Sequence, residues 1–304
     1  MAMSIRTTQQ SIVARVTNNL QGNLGRLGKL QEQMSSGKLI NRPSDSPTGT
    51  VSSLQLRGQL RILDQYSRNA DNGLGWLGTI DNTLTSGLDQ IRRARDLALS
   101  GKSAGVAGSA DAREAMAVEV DNIREEMINL ANTKYLDRPV FGGTTAGSVA
   151  YNPAGMYVGT AAAPGGTVDR TIGDGTSVRV EVTGPEAFGA DGSPTKLFDV
   201  LASIAANLRA GNSNALDVDL GNIDTAMKNV QTQLATVGAR YNRVELMRQT
   251  ADNRILDLKT QLSDVEDIDL PKTIMDVQLQ QTAYQAALNV SAKVIQPSLV
   301  DFLR

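Results

Sequence analysis

The 304-residue chain has no cysteine and no histidine. The first absence rules out disulfides and thiolate nucleophiles. The second rules out any catalytic triad built on imidazole, and together they remove Cys/His zinc and haem sites. No side chain has an unperturbed pKa near neutrality. Aromatic residues make up 4% of the chain, with one tryptophan, Trp76, too few to line a large ligand pocket. An excess of either charge is also missing. Thirty Lys+Arg stand against 32 Asp+Glu, a formal net charge of −2, whereas a broad nucleic-acid surface needs a basic excess. No apolar run approaches the roughly 18 residues of a membrane span. Met1-Ala2-Met3-Ser4-Ile5-Arg6 lacks the apolar core of a secretory signal. The expectation is therefore no cofactor, no metal, no catalysis, no nucleic acid and no membrane insertion, in a protein that is cytoplasmic or exported without a cleaved signal.

What is present is mostly helical periodicity. Leu216, Leu220, Ile223, Met227, Val230, Leu234, Val237, Tyr241, Val244, Arg248, Ala251, Ile255, Leu258, Leu262 and Val265 follow a four-three spacing, the signature of one helix packed on another along a narrow seam. Leu56, Leu60, Leu63, Ser67, Ala70, Leu74, Leu77, Asp81, Leu84, Leu88 and Ile91 repeat the pattern, and no proline falls between Pro47 and Pro139. Shorter runs are Met116, Val120, Ile123, Met127, Leu130 and Leu197, Leu201, Ile204, Leu208. Two long and two short helices would make an elongated bundle.

The centre differs. Twelve of the 28 glycines and four of the nine prolines fall between Phe141 and Pro194. Val178, Val180 and Val182 alternate there with Arg179 and Glu181, as in a half-buried strand, and Gly173-Asp174-Gly175 reads as a hairpin turn. The fold class expected is mainly α with an inserted small β domain at 141–194, between helical segments 46–140 and 195–267.

The two ends carry apolar stripes of their own. Ile5, Ile12, Val16, Leu20, Leu24, Leu27, Leu30 and Met34 form one; Ile274, Val277, Tyr284, Leu288, Ile295, Leu299 and Phe302 form the other. Pro271 suits a first helical turn, and Pro297 should disturb a last one. Isolated amphipathic helices are marginal in water, and pairing two of them still exposes apolar surface. The arms, 1–45 and 268–304, either fold back on the bundle or stay loose until other copies of the chain cover these fifteen positions. The second reading predicts a protein that polymerises through both ends.

Other motifs lead nowhere chemically. Gly73-Leu74-Gly75-Trp76-Leu77-Gly78 matches the dinucleotide fingerprint letter for letter, but no strand precedes it and it lies inside a heptad run. Its glycines fit close helix approach better. Gly101-Lys102-Ser103 has Asp96 where a P-loop needs its first glycine. Asp217-Val218-Asp219 lacks the later ligands of a calcium loop. The acidic run Asp264, Glu266, Asp267, Asp269 suits a solvated helix end or a partner for the basic first 60 residues. There Arg6, Arg15, Arg26, Lys29, Lys38, Arg42 and Arg57 face only Glu32 and Asp45.

Leu30-Gln31-Glu32-Gln33-Met34-Ser35-Ser36-Gly37-Lys38-Leu39-Ile40-Asn41-Arg42-Pro43-Ser44-Asp45-Ser46-Pro47 resembles the N-terminal block of the flagellin superfamily. Pro43-Ser44-Asp45-x-Pro47 is similar to the Pro-Ser-Asp-Asp-Pro of its hook–filament junction members, with Ser46 in place of the second aspartate. The likeness continues through Gln65-Tyr66-Ser67-Arg68-Asn69-Ala70, Ala131-Asn132-Thr133, Val140-Phe141-Gly142-Gly143 and Ser263-Asp264-Val265-Glu266-Asp267-Ile268-Asp269. Pro271-Lys272 departs from the usual pattern. The resemblance implies coiled-coil arms, 1–45 paired with 268–304, that line the inner tube of a filament, and a β domain that faces outward. It also implies unfolded export through the flagellar type III channel and an extracellular place in the bacterial flagellum. The partners implied are further copies in a ring, a neighbouring hook-associated protein, flagellin, and an export chaperone at the C-terminal helix. The function expected is a structural adaptor between hook and filament. Filament flagellin is the nearer alternative, and a cytoplasmic coiled-coil scaffold the more distant one.

Overall fold

A computed structural model describes residues 9–103, 109–160 and 167–295. The fold is mainly helical with small antiparallel β pairs, and the chain divides into two compact units. One unit comprises Met1–Arg61 with Ile255–Arg304, the other Ile62–Arg254. Each is described by itself.

The second unit holds most of the core. Its longest elements belong to α2 (Pro47–Gly101) and α6 (Ser213–Glu266), the two helices with sustained heptad spacing. The seam positions do what the spacing requires: Leu77, Leu84, Leu88 and Ile91 of α2 and Leu216, Ile223, Val230, Val237 and Val244 of α6 are buried. Between them in sequence lie α3 (Ala110–Ala131) and α5 (Leu197–Ala210), which pack on each other. They bury Val120, Ile123 and Met127 against a core that includes Leu197, Leu201, Ile204 and Leu208. Local chemistry sets their ends. The Ser109 side chain accepts from the Ala112 amide at the start of α3, and α5 stops where Gly211 turns left-handed, at φ 66°.

The β pairs are small. β1 (Lys134–Tyr135) and β2 (Arg138–Pro139) form a hairpin whose two loop residues, Leu136 and Asp137, both have positive φ, the geometry of the tightest hairpin loops. β3 (Asp169–Gly173) and β4 (Thr176–Arg179) form the second hairpin, turned by Asp174-Gly175 with a register shift at Gly173. Asn69 of α2 donates to the Thr171 carbonyl at 2.8 Å and ties this hairpin to the helix. The short α4 (Gly184–Phe188) is opened by a Thr183/Glu186 capping box. Beside it Phe141, Tyr151, Phe188 and Phe198 stack edge to face, with Tyr151 and Phe198 centroids 4.9 Å apart. The few aromatics are thus concentrated where the insert is rooted.

The alternation of Val178, Val180 and Val182 places all three inward. It also places Glu181 outward, and there the structure differs. β4 ends at Arg179, and beyond it the Glu181 side chain is fully buried at 0% exposure, beneath Arg179 and Arg240. Within the Gly73–Gly78 motif, Gly75 is set by packing. A β-carbon on Gly75 would lie 2.7 Å from Cζ of Tyr135, whose ring meets Trp76 edge to face.

The first unit contains α1 (Gln9–Ser36) and α7 (Leu270–Ile295), which pack against each other, and the adjoining ends of α2 and α6. α1 ends at Gly37, φ 70°. Ser46 accepts from the Gly49 amide ahead of α2, with Pro47 as its first residue. Asp269 accepts from the Lys272 amide ahead of α7, so Pro271 occupies a first turn.

Candidate assembly surface

The first unit is nearly without a core of its own. Among its described residues, Val277 is the single apolar side chain that is fully buried, at 6% exposure. On α1, Val16, Leu20, Leu27 and Leu30 are half-buried, while Leu24 and Met34 are exposed. On α7, Tyr284 is half-buried beside buried Val277, while Ile274 and Leu288 are exposed. Ile5, Leu299 and Phe302 lie outside the described residues, as do the side chains of Ile12 and Ile295. A polar contact joins the two helices at Gln280, whose Nε2 donates to the Asn23 carbonyl at 3.2 Å and lies 3.4 Å from Asn23 Oδ1.

A second apolar set emerges that the one-stripe pattern does not contain. Met275, Leu279 at 70% exposure and Val290 at 61% run along α7 outside the first stripe, and Leu270 is exposed at its start. Val51 and Leu54 on α2 and Leu256 on α6 are exposed in the same unit. Two helices packed together bury one face of each, so a helix apolar on two faces leaves one in water.

The turns after α1 and α6 are joined in this unit. The Leu39 amide donates to the Glu266 carbonyl at 2.6 Å, and the Ile268 amide to the Gly37 carbonyl at 3.1 Å. Lys38 Nζ lies 2.5 Å from Asp267 Oδ1 and 3.5 Å from Glu266 Oε2. Arg57 Nε and Nη2 donate to the two Glu266 oxygens at 2.8 and 2.7 Å, a fork-to-fork pair. The Arg57 guanidinium, more than the burial that opposes it, holds the Glu266 carboxyl below the usual range. Lys38 and then Ser263 do the same for Asp267. The acidic run therefore meets the basic first 60 residues inside one chain.

The Pro43–Pro47 block is the neighbouring turn. Asp45 Oδ2 accepts from the Asn41 and Arg42 amides at 3.2 and 2.9 Å, and Oδ1 takes Lys29 at 3.0 Å. Arg42 pairs with Glu32 at 3.1 Å. An aspartate with this much to bind holds the turn that leads from α1 into α2, which gives the Pro-Ser-Asp signal a structural cause.

Among the described residues no group of acidic side chains is arranged to hold a metal, and no helix is long and apolar enough to cross a membrane. What the unit offers is apolar surface and a charged joint.

Comparison with known proteins gives that surface a context. Residues 6–145 match the bacterial flagellin N-terminal helical region, and residues 220–303 match the bacterial flagellin C-terminal helical region. The chain is 26% identical to flagellin of Bacillus subtilis (strain 168) over 287 residues, 92% of each chain. It is 27% identical to flagellar hook-associated protein 3 of Escherichia coli (strain K12) over 278 residues, 85% of this chain and 87% of that one. In fold it is similar to a flagellar hook-associated protein from Vibrio parahaemolyticus, with a TM-score of 0.66 at 21% identity, covering 73% of this chain and all of the other. It is likewise similar to FlgL of Bacillus cereus, with a TM-score of 0.59 at 20% identity, covering 69% of this chain and 99% of that one.

Proposed function

Starting from the fact that this chain belongs to the flagellin family, whose members are self-assembling structural components of the bacterial flagellum and not enzymes, we propose that it is the adaptor between hook and filament. The observation that carries the assembly mechanism is the contrast within the first unit, with one fully buried apolar side chain against exposed Leu24, Met275, Leu279, Leu288 and Val290. Each such side chain contributes about 1.5–3 kcal/mol once a neighbour covers it. A few per subunit offset the entropy of ordering the helices in place. Subunits add in a ring at the distal end of the hook. Copies cover the arms, one face of the ring meets a hook-associated neighbour, and the other receives flagellin.

The placing at the junction is supported by the Pro43-Ser44-Asp45-Ser46-Pro47 turn and by the likeness in fold to hook-associated proteins. Export without a cleaved signal, through the flagellar type III channel, agrees with a chain that has no cysteine to cross-link before it folds. A chaperone at the C-terminal helix would shield the second α7 stripe before export. Filament flagellin is the rival reading, favoured by the similarity to the Bacillus subtilis protein.

Immunogold electron microscopy of intact cells, with antibody against 141–194, separates the two. The adaptor gives one spot where hook meets filament. Label along the filament would establish flagellin instead, and label confined to the cell interior would remove both.

A further inference from the structure

Two of the seam positions that break the heptad pattern in the second unit meet at one hollow. Asp81 is the acid in the α2 run, and Tyr241 is the one exposed position of the α6 seam. They line the same open hollow, of about 390 Å³, together with Gly78, Asn82, Gly238 and Asn242. The two helices contribute matching segments. Gly78-Thr79-Ile80-Asp81-Asn82 and Gly238-Ala239-Arg240-Tyr241-Asn242 each set a glycine, the seam-breaking residue three positions on, and an asparagine one further. On a helix, positions i, i+3 and i+4 share a face.

The polar groups around this hollow are unused among the described residues. The side chains of Asp81, Asn82, Tyr241 and Asn242 make no hydrogen bond or ion pair with any described residue. Gly238 is not required by packing either. A β-carbon there would meet nothing within 4 Å, and one at Gly78 would only touch the Tyr241 ring at 3.8 Å. Glycine weakens a helix interior relative to alanine, and the bare backbone at Gly238 leaves room beside these polar groups for something that enters from outside.

The geometry points to a socket for a basic side chain of a second copy of this chain, most simply an arginine. Asp81 supplies a carboxylate, Asn82 and Asn242 supply amide oxygens, and the Tyr241 ring supplies a face for a flat cation. A guanidinium uses all three kinds of contact at once. The complementary charge is present on the chain. Arg61, Arg243 and Arg254 are exposed and take no ion pair among the described residues. The inference rests on the assembly reading and adds a specific contact away from the terminal arms, one that would fix register between copies.

The test uses the full chain in purified flagella. The protein has no cysteine, so Thr85→Cys, at an exposed position one turn on from Asp81, carries a benzophenone beside the hollow and nowhere else. Irradiation should join it to a second copy, at a peptide containing arginine or lysine. Adding Asp81→Asn should cut that yield at least tenfold. A cross-link to a different protein, to a peptide without a basic residue, or with a yield indifferent to Asp81→Asn would overturn the socket. A β-carbon at Gly238 meets nothing within 4 Å, so Gly238→Leu projects into the hollow. It should not lower the melting temperature, since leucine favours a helix over glycine, while raising the concentration needed for assembly about tenfold. Unchanged assembly would also overturn it. Leu279→Lys keeps the two ideas apart. Normal assembly of that variant would refute the role of the arms, whereas loss of assembly there with no effect of Gly238→Leu would refute the socket alone.

Discussion

The two units each bury a glutamate, and they treat it in opposite ways. Glu266, at the joint of the first unit, receives both fork nitrogens of Arg57 and has Lys38 nearby, and its carboxyl is held below the usual range. Glu181, in the second unit, has no hydrogen bond to either carboxylate oxygen and one guanidinium nitrogen, Arg179 Nη2, at 3.4 Å. Burial pushes its carboxyl up. The surroundings explain the difference. The second unit is held by a continuous apolar core and tolerates a poorly solvated charge, while the first has almost no core and depends on its charged joint. On the proposed reading, one unit stands alone and the other is completed by neighbouring copies.

The largest effect expected concerns the cores. Leu84→Ala, at a fully buried seam position, should cost about 2–5 kcal/mol in denaturant unfolding of the monomer. Leu279→Ala, on the open face of α7, should cost less than about 0.5 kcal/mol there and still impair assembly. Equal costs in the monomer would erase the distinction between the units.

A smaller effect should come from Gly75→Ala. The added methyl collides with the Tyr135 ring, so the better helix propensity of alanine is outweighed and the second unit loses about 1–3 kcal/mol, read by thermal melting. A gain in stability would mean that the two elements are not in close contact.

The two glutamates should then separate by pH. Glu266→Gln weakens the joint and should loosen the first unit by about 1–2 kcal/mol at neutral pH. Because the folded state lowers this carboxyl, its contribution is present above the ordinary glutamate value of about 4.5 and is lost as pH falls through the folded one. Hydrogen exchange of α1 and α7 amides in the monomer, across pH, reads it. Glu181→Gln should instead raise the stability of the second unit, by up to about 1 kcal/mol at neutral pH. Its carboxyl is raised, so the neutral form's contribution is present below the ordinary value and lost as pH rises through the folded one. The gain from glutamine should therefore vanish in acid. Parallel pH profiles for the two variants would contradict the assignment of opposite environments.

Much of this was legible in the sequence, for reasons that can be named. The α2 and α6 seams show because a period near 3.5 sustained over many turns has one physical cause, and the β3–β4 hairpin shows because Asp174-Gly175 is turn chemistry. The β1–β2 hairpin does not, because Leu136-Asp137 adopts positive φ without the glycine or asparagine that would announce it. Burial of Glu181 was hidden because β4 ends at Arg179 and the alternation stops applying two residues later. The joint of Glu266 with Arg57 links positions 209 residues apart, which no local pattern encodes. The second stripe of α7 is not announced by the helical period, because Met275, Leu279 and Val290 lie off the face that Ile274, Val277 and Tyr284 define.

The most direct measurement is amide hydrogen exchange on the monomer and on assembled flagella, compared helix by helix. The account predicts that α1 and α7 exchange far faster than the buried stretch of α2 around Leu84 in the monomer, and that they gain strong protection on assembly while that stretch barely changes. Protection of α1 and α7 in the monomer equal to that around Leu84, with no further gain in the assembly, would contradict it.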